Sequence, residues 1–259
     1  MKRDERQQAI MDLLVLEGDV GLDQLSVHFD VSKMTIHRDL DDLENEGLLR
    51  KVRGGATIQS GTQFESDYRL RARQGSAAKN AMAEAALALI EPGMTVMIND
   101  GSMAAILAQK CVLKRPLTII TNNAAVIDTQ RNDPGITTIT LGGVYSSKFN
   151  AYLGKVTEDT LANLRADIAF ISSPAVAGVD VFHMDDSVVR AKRAMMAQSA
   201  KCCLLVNHSR FGHAALHRLA GLSEFDTIIT DQAPAPEVTA DLQRAGLTLT
   251  IALSEESTP

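Results

Sequence analysis

The sequence has little cysteine, no long apolar run and no excess of positive charge. Its three cysteines are an odd number, and Cys202 and Cys203 are adjacent within an apolar stretch, so we expect buried thiols in a reducing cytoplasm. No apolar run approaches the roughly 20 residues of a membrane-spanning helix, and residues 1–10 are too charged and polar for a secretory signal. We therefore expect a cytoplasmic protein with no membrane partner.

Metal chemistry finds no support in the sequence. No histidine or cysteine stands at metal-ligand spacing near Cys202. The remaining histidines, apart from His37, also lack such spacing, and only His208 is placed where it could reach a binding pocket. We expect no metal and no cofactor.

The charge of the chain is unevenly placed. A net charge of −6 argues against a general nucleic-acid coat protein. Residues 47–63 contain basic side chains and no acidic ones, whereas acidic side chains are frequent in residues 39–46. Because local charge governs docking on phosphate and acidic flanks discourage loose contacts, we expect any nucleic-acid binding by this chain to be specific, salt-sensitive and dimeric.

Residues 22–56 have the pattern of a winged helix-turn-helix. The first helix carries apolar residues at spacings suited to burial, namely Leu22, Leu25, Val27 and Phe29. A second helix is expected to begin after Ser32, whose hydroxyl suits an N-cap, and to end at Gly47. Its apolar face is formed by Ile36, Leu40 and Leu43.

The second helix is hydroxyl-bearing and basic at its N-terminal end, which is the end that a recognition helix inserts into the major groove. A strand then begins at Leu48 and leads to a basic hairpin before Gly54 and Gly55, as in a wing that grips phosphate. A helical subdomain with solvated charges is the alternative, but it does not explain the cap and the basic hairpin together. The predicted DNA-binding set is Ser32, Lys33, Met34, Thr35, His37, Arg38, Arg50, Lys51 and Arg53. Within this set, we expect base edges or adjacent phosphates to be contacted by Thr35, His37 and Arg38. We expect mainly phosphate contacts from Lys33, Arg50, Lys51 and Arg53.

From residue 76 onwards, apolar strands alternate with helices, which predicts a mostly parallel sheet covered on both faces. Strands are predicted at 95–98, 117–121, 136–141, 168–172, 201–206, 227–230 and 247–252. Helices are predicted at about 76–90, 104–111, 124–131, 157–164, 188–199 and 238–245. The domains are therefore expected at 3–58 for the winged helix-turn-helix and 76–253 for the α/β part, with a linker at 59–75.

The predicted strands end in loops of small and polar residues. Because the carboxyl ends of parallel strands meet at one edge of a sheet, these loops should form a pocket there. Free backbone N–H groups beside a helix N-terminus suit an anion such as phosphate. Any single loop is also explained as an ordinary connection, so the prediction depends on several loops converging, namely residues 99–102, 121–123, 142–143 and 207–210.

The order of residues resembles the DeoR family of bacterial transcription regulators. In the first part the matching stretches are RQQAIMDLL at 6–14, VSKMTIHRDLDDL at 31–43 and GLLRKVRGGA at 47–56. In the second part they are IITN at 119–122, LGG at 141–143, Gly154, ADIAFIS at 166–172, AKRAMM at 191–196 and IITD at 228–231. The resemblance implies a sensor domain similar in fold to ribose-5-phosphate isomerase that binds a phosphorylated sugar or related metabolite.

The chain departs from the family pattern at several positions. His37 stands where an arginine is usual and Arg53 where a histidine is usual, and both keep a hydrogen-bond donor. In the sensor part, residues 99–103 read NDGSM rather than DSGTT, and residues 207–211 read NHSRF rather than the family's Asp-x-Ser-Lys-Phe. We therefore expect the ligand to differ in class from the family's usual one, and we expect it to be a phosphorylated sugar or sugar acid. The predicted effector-binding residues are Asn99, Asp100, Gly101, Ser102, Thr121, Asn122, Gly142, Gly143, Lys192 and Arg210.

The function expected from these features is a repressor of a carbohydrate-related catabolic operon, binding a double-stranded DNA operator as a homo-oligomer, a dimer or tetramer. One alternative is a sugar-phosphate isomerase fused to a DNA-binding domain, with Asp100, Asp185 or Asp186 as base and Lys192 or Arg210 as electrophile. Another is a constitutive architectural protein, which would not need loops converging at a sheet edge. We favour the regulator and assign no catalytic residue.

Overall fold

The computed structural model describes residues 2–45, 47–57, 68–73 and 75–252. It divides the chain into two compact units, residues 1–74 and 75–259, each with its own apolar core. None of the helices in the described part of the chain combines the length and apolarity needed to cross a membrane.

The N-terminal unit combines helices with a small antiparallel sheet in the strand order β1-β3-β2. Its described elements are α1 (Arg3–Glu17), β1 (Asp19–Gly21), α2 (Leu22–Phe29), α3 (Lys33–Asn45), β2 (Arg50–Val52), β3 (Gly55–Thr57) and α4 (Tyr68–Arg73). The strands β2 and β3 form the predicted hairpin, and α2 and α3 the predicted helix pair. The winged helix-turn-helix is thus confirmed.

The core of this unit differs from the prediction at one position. Leu25 is fully buried, and Leu22 and Phe29 pack partly against the core, but 83% of Val27 is exposed. Placing Val27 in the core was wrong, because two residues after Leu25 a helix has turned to its opposite face. Leu48 precedes the first wing strand and is itself buried, so the strand begins two residues later than predicted.

The linker prediction at 59–75 lies mostly outside the described residues. Residues 58–67 and 74 are not described, so the end of the first domain at residue 58 and the start of the linker at residue 59 remain predictions. Within the same range, Tyr68–Arg73 forms α4, and the side chain of Tyr68 is buried.

The C-terminal unit is built on a parallel sheet of seven strands in the order β15-β14-β12-β9-β4-β5-β6. These are β4 (Thr95–Ile98), β5 (Leu117–Thr121), β6 (Ile136–Thr140), β9 (Ala166–Ser172), β12 (Ser199–Leu205), β14 (Thr227–Thr230) and β15 (Thr250–Ile251). The helices are α5 (Ser76–Leu87), α6 (Ser102–Lys110), α7 (Ala124–Gln130), α8 (Lys155–Leu161), α9 (Asp186–Ala197) and α10 (Pro236–Arg244). Every predicted strand overlaps one strand of this sheet, which confirms the α/β fold class.

Two further antiparallel elements were not predicted. A hairpin joins β7 (Val144–Ser146) to β8 (Ala151–Leu153), and a separate sheet has the order β10-β11-β13, formed by Ala175–Ala177, Asp180–His183 and His217–Gly221. The hairpin lies against the carboxyl end of β5, since Tyr152 N–H donates to the carbonyl of Asn122 at 2.9 Å.

Candidate functional site

The start of the recognition helix α3 is fixed by Ser32. Its Oγ accepts the backbone N–H of Thr35 at 3.1 Å and lies 2.9 Å from Thr35 Oγ1. Gly47 follows the helix with a φ of +72°, and its N–H donates to the carbonyl of Glu44 at 2.8 Å. The predicted cap and terminator are confirmed, and together they set which residues occupy the first turn.

The outward face of α3 is exposed where the DNA-binding prediction requires it. Ile36 and Leu40 are buried on the core side, whereas Met34, His37 and Arg38 are exposed. Within the described residues, the side chains of His37 and Arg38 have no hydrogen-bond or ion-pair partner, so both are available to an external ligand.

Further members of the predicted DNA-binding set lie at the two edges of this face. Lys33 is also exposed but pairs with Asp23 at 2.6 Å, on an open surface where such a pair is weak. Ser32 is exposed and is used in the cap.

The wing is a tight hairpin whose geometry depends on glycine. Val52 pairs with Gly55, so Arg53 and Gly54 form the two-residue turn, and Gly54 has a φ of +85°. A Cβ on Gly55 would lie 2.0 Å from the carbonyl oxygen of Val20 on the neighbouring strand. The close approach of β1 and β3 therefore requires glycine, and it leaves Arg53 exposed at the tip.

The acidic side chains of α3 are used within the unit. Asp39 is buried and accepts two hydrogen bonds from Arg6 of α1, from Nε at 2.6 Å and Nη2 at 3.2 Å, which raise the pKa of Arg6 further above its ordinary value. Asp42 pairs with Arg3, also of α1, through a single contact on the surface. Of the acids expected to flank the DNA contact, Asp39 is instead turned into the unit, and together with Asp42 it holds α1 against α3.

The wing is tied to α3 by Lys51. Its Nζ pairs with Asp41, and its backbone N–H donates to Glu44 Oε1 at 2.7 Å. Lys51 was predicted as a phosphate contact, but the structure places its charge against an acid of α3. Arg50 is exposed and has no ion-pair partner among the residues described, so it remains available to phosphate.

At the carboxyl edge of the parallel sheet, the loops after β4 and β9 contact each other. Asn99 is buried, and its Oδ1 accepts the N–H and the hydroxyl of Ser172 at 3.3 and 3.4 Å. Gly101 has a φ of +117°, and a Cβ there would lie 2.8 Å from Ser172 Oγ. Ser102 begins α6 and is buried beside them.

Lys192 and Asp100 form a buried pair below this edge. Lys192 Nζ donates to the carbonyl of Ser172 at 2.9 Å and lies 3.6 Å from Asp100 Oδ1, with 2% and 1% of the two side chains exposed. Both were predicted to bind the effector. In this conformation their polar atoms face protein, so a ligand reaches them only if the loops around Ser172 rearrange.

The loop after β5 is held by its own side chains. Thr121 Oγ1 donates to the carbonyl of Ile98 at 2.7 Å and accepts the N–H of Asn123 at 3.0 Å. Asn123, which was not among the predicted site residues, caps α7 through its Oδ1 and donates from Nδ2 to the carbonyl of Gly101 at 3.1 Å. An asparagine directly before a predicted helix was the available signal for this cap.

Asn122 carries an unsatisfied polar atom at the same edge. Its Nδ2 donates to the carbonyl of Tyr152 at 3.0 Å, whereas its Oδ1 has no hydrogen-bond partner among the described residues. The side chain is completely buried, and buried acceptors in folded proteins are almost always satisfied.

The loop after β6 contains two predicted effector-binding residues that are exposed. Gly142 and Gly143 are both exposed, and Thr157 Oγ1 of α8 donates to the carbonyl of Gly142 at 2.6 Å. Gly143 has a φ of +140°, and a Cβ there would lie 2.5 Å from the carbonyl oxygen of Leu153. Glycine is therefore required where β6 meets the hairpin.

The loop after β12 is organised around Asp231. Its carboxylate accepts Asn207 Nδ2 at 2.7 Å and the N–H of His208 at 2.7 Å, and it lies 2.9 Å from His208 Nδ1. Arg210 follows in the same turn and is partly exposed. Three strands separate β12 from β6, so Arg210 and the glycine pair lie at different parts of the edge.

The carboxylates considered for catalysis are all engaged. Asp185 caps α9, and although burial opposes it, the hydrogen bonds from Ser187 and Val188 lower the pKa of Asp185 below its ordinary value. Asp186 pairs with Arg190 on the surface, and Asp100 faces Lys192. A carboxylate held in a cap with a lowered pKa is a weak base. Within the described ranges, no three His, Cys, Asp or Glu side chains are grouped as metal ligands would be.

A capped recognition helix with a basic wing, joined to a parallel α/β unit whose loops meet at one edge, defines a helix-turn-helix transcription regulator. Residues 6–62 match the DeoR-like helix-turn-helix domain, and residues 74–232 match the DeoR C terminal sensor domain. The chain belongs to the DeoR family.

Curated relatives match along nearly their whole length. The uncharacterized HTH-type transcriptional regulator YgbI of Escherichia coli is 28% identical, over 97% of this chain and 98% of the relative. The L-fucose operon activator of Haemophilus influenzae is 30% identical, over 88% and 92%. The glycerol-3-phosphate regulon repressor of Escherichia coli is 29% identical, over 92% and 94%. These relatives are named as regulators and not as enzymes, so the isomerase alternative is not supported.

A loose likeness to solved structures was also found. Ribose 5 phosphate isomerase A from Neisseria gonorrhoeae superposes with a TM-score of 0.38 at 12% identity, covering 52% of this chain and 53% of that one. A superposition this loose carries no argument about function.

Proposed function

We propose that this chain is a cytoplasmic repressor that binds a double-stranded operator through α3 and the wing, as a homo-oligomer, a dimer or tetramer. The observation that carries the proposal is the outward face of α3, where Arg38 and His37 are exposed opposite the buried Ile36 and Leu40 and have no partner in the part of the chain that the structure describes. Side chains in that position read base edges in the major groove.

The placement of charged side chains also supports DNA binding by the surface of α3 and the wing. Three acids of α3, Asp42, Asp39 and Asp41, pair with Arg3, Arg6 and Lys51, while Arg50 and Arg53 stay exposed on the wing. The face therefore presents net positive charge to phosphate even though the whole chain carries −6.

We further propose that a phosphorylated sugar or related metabolite binds at the carboxyl edge of the parallel sheet. The exposed glycine pair after β6 offers backbone N–H groups to an anion, and the N-terminus of α6, which is buried in this conformation, would add its own if the loops around Ser172 rearrange. The unsatisfied Oδ1 of Asn122 would accept a hydrogen bond from a ligand hydroxyl. Two relatives are named for L-fucose and glycerol-3-phosphate, one a sugar and one a phosphorylated polyol.

Control of DNA binding then follows from differential affinity. A metabolite that binds one arrangement of the oligomer more tightly shifts the population between DNA-competent and DNA-incompetent states. One named relative is a repressor and another an activator, and we assign repression of a carbohydrate-related catabolic operon to this chain.

The DNA-binding proposal is tested by sequencing genomic fragments captured by the full-length protein. A shared motif upstream of carbohydrate genes supports it, and recovery of fragments with no common sequence contradicts it. A reporter driven by the captured promoter tests the sign, since deleting the regulator raises expression under a repressor and lowers it under an activator.

The effector proposal is tested by thermal shift against phosphorylated pentoses and hexoses and the matching phosphorylated sugar acids. Gly142→Asp should abolish the shift produced by the active compound, because it adds a carboxylate at the exposed glycine pair. Gln243→Glu is the matched control, since it adds the same charge at an exposed position of α10. If no compound changes either melting or operator affinity, the effector proposal is wrong.

A further inference from the structure

Met34 is an exposed apolar residue in the first turn of the recognition helix. It has 62% of its surface exposed, and it follows Lys33, the first residue of α3. Met34 and Arg38 are four residues apart, so they neighbour each other on one helix face. That face is opposite the one that buries Ile36 and Leu40.

Folding of the N-terminal unit does not explain this methionine. It is absent from the buried core of the unit and from the partly buried apolar residues packed against it. Exposure alone is ordinary for a single apolar side chain, and Val27 on α2 is even more exposed at 83%. What distinguishes Met34 is its place beside Arg38 on the surface proposed to enter the groove.

We propose that Met34 contacts the 5-methyl group of a thymine and so contributes to operator specificity, an inference that rests on the proposed DNA binding. The thymine methyl is the apolar group that base edges present in the major groove. A flexible, polarisable thioether adapts readily to such a surface. Met34 is therefore a specificity-determining residue rather than a phosphate contact.

The helix geometry also places the thymine. Side chains four residues apart start about 5–6 Å from each other, and successive bases along a strand are about 3.4 Å apart. The thymine contacted by Met34 lies one or two base pairs from the base pair contacted by Arg38.

The test replaces thymine by deoxyuridine, which removes the methyl group and leaves the hydrogen-bonding edge unchanged. The full-length protein first selects a duplex from a random pool, and every thymine in that duplex is then replaced singly. At one position, close to the base pair whose preference Arg38→Ala relaxes, deoxyuridine should weaken wild-type binding about fourfold, as expected for losing one buried methyl group.

Variants of the protein decide whether Met34 is responsible. Met34→Ala and Met34→Gln should bind the thymine and deoxyuridine duplexes equally, and both residues are good helix formers. Val27→Ala is the matched control and should keep the fourfold difference. Thr35→Ser tests the other methyl group in the first turn and should also keep it.

Three results would overturn the inference. Deoxyuridine has no effect at any position, or its effect persists in both Met34 variants, or it disappears in Thr35→Ser instead. If selection yields no preferred duplex at all, the proposed DNA binding has failed and the role of Met34 falls with it, which separates that failure from the other three.

Discussion

Arg6 and Asp39 form a two-point ion pair that joins α1 to the recognition helix across 33 positions of sequence. The Arg6 and Asp39 side chains are only 10% and 2% exposed. A charge buried to this degree depends on its partner, because desolvation is compensated only while both are present. The orientation of α3 against its own domain is therefore set by a contact remote from the DNA-binding face.

Breaking this pair should destabilise the N-terminal unit. Asp39→Asn or Arg6→Met is expected to cost about 3–5 kcal/mol, the usual effect of leaving one buried charge alone. Hydrogen exchange of α1 and α3 in the full-length protein measures it. Arg3→Met is the control, because its pair with Asp42 is on the surface and should contribute less than about 1 kcal/mol. If Arg3→Met lost as much protection as Asp39→Asn and Arg6→Met, burial of the Arg6–Asp39 pair would be shown to be unimportant.

Arg53 and Lys51 should differ in the salt dependence of DNA binding. Arg53 is exposed at the wing tip, and Arg53→Ala is expected to lower the slope of log K against log salt by about one. Lys51 has 27% of its side chain exposed and pairs with Asp41, so Lys51→Ala should lower the slope by less. Titrations at several salt concentrations measure both slopes, and identical changes would contradict the assignment of Lys51 to the α3 contact.

Gly55→Ala should disrupt the wing. The new Cβ would meet the backbone oxygen of Val20 at 2.0 Å, and backbone cannot move aside as a flexible side chain can. Operator affinity is expected to fall while the C-terminal unit keeps its stability. Gly54→Asn is the control, since its left-handed φ suits asparagine better than most residues. Wild-type affinity in Gly55→Ala would mean that β1 and β3 are not held this closely when DNA is bound.

Cys111 should make stability fall at high pH. Burial raises the pKa of its thiol from 9.0 to about 12. Above about pH 9 the unfolded chain loses this proton while the folded chain keeps it, so the free energy of unfolding decreases as pH rises, by about 1.4 kcal/mol per pH unit up to about 12. Urea unfolding across this range measures the slope, and Cys111→Ala should show a shallower one. An unchanged slope in that variant would refute the burial of the thiol.

The local pattern of the N-terminal unit was largely predictable. Ser32 and Gly47 mark the ends of α3 by simple capping chemistry, and the spacing of Ile36 and Leu40 gives its buried face. Val27 could not be placed by residue type alone, because an apolar residue on α2 is compatible with either side of the helix. The ion pair of Arg6 with Asp39 is a long-range contact, which no local spacing reveals.

In the C-terminal unit, the sequence predicted the long apolar strands but missed the short antiparallel ones. The segments at Val144–Ser146 and Asp180–His183 mix apolar with polar residues, so they lack the continuous apolar run by which equally short strands such as Thr95–Ile98 were predicted. The loops that follow the parallel strands were expected at the carboxyl edge of the sheet, and the structure places them there. The burial of Lys192 was not foreseen, because a lysine in a helix is usually solvated.

The exposed side chain of Arg38 gives the most direct test of the central claim, that α3 reads DNA. The affinity of the full-length protein for its selected duplex should be measured beside a scrambled duplex of the same length, for wild type and Arg38→Ala. The account predicts a loss of about 1–3 kcal/mol for the selected duplex and little change for the scrambled one. Equal affinity of wild type and Arg38→Ala for the selected duplex would contradict it.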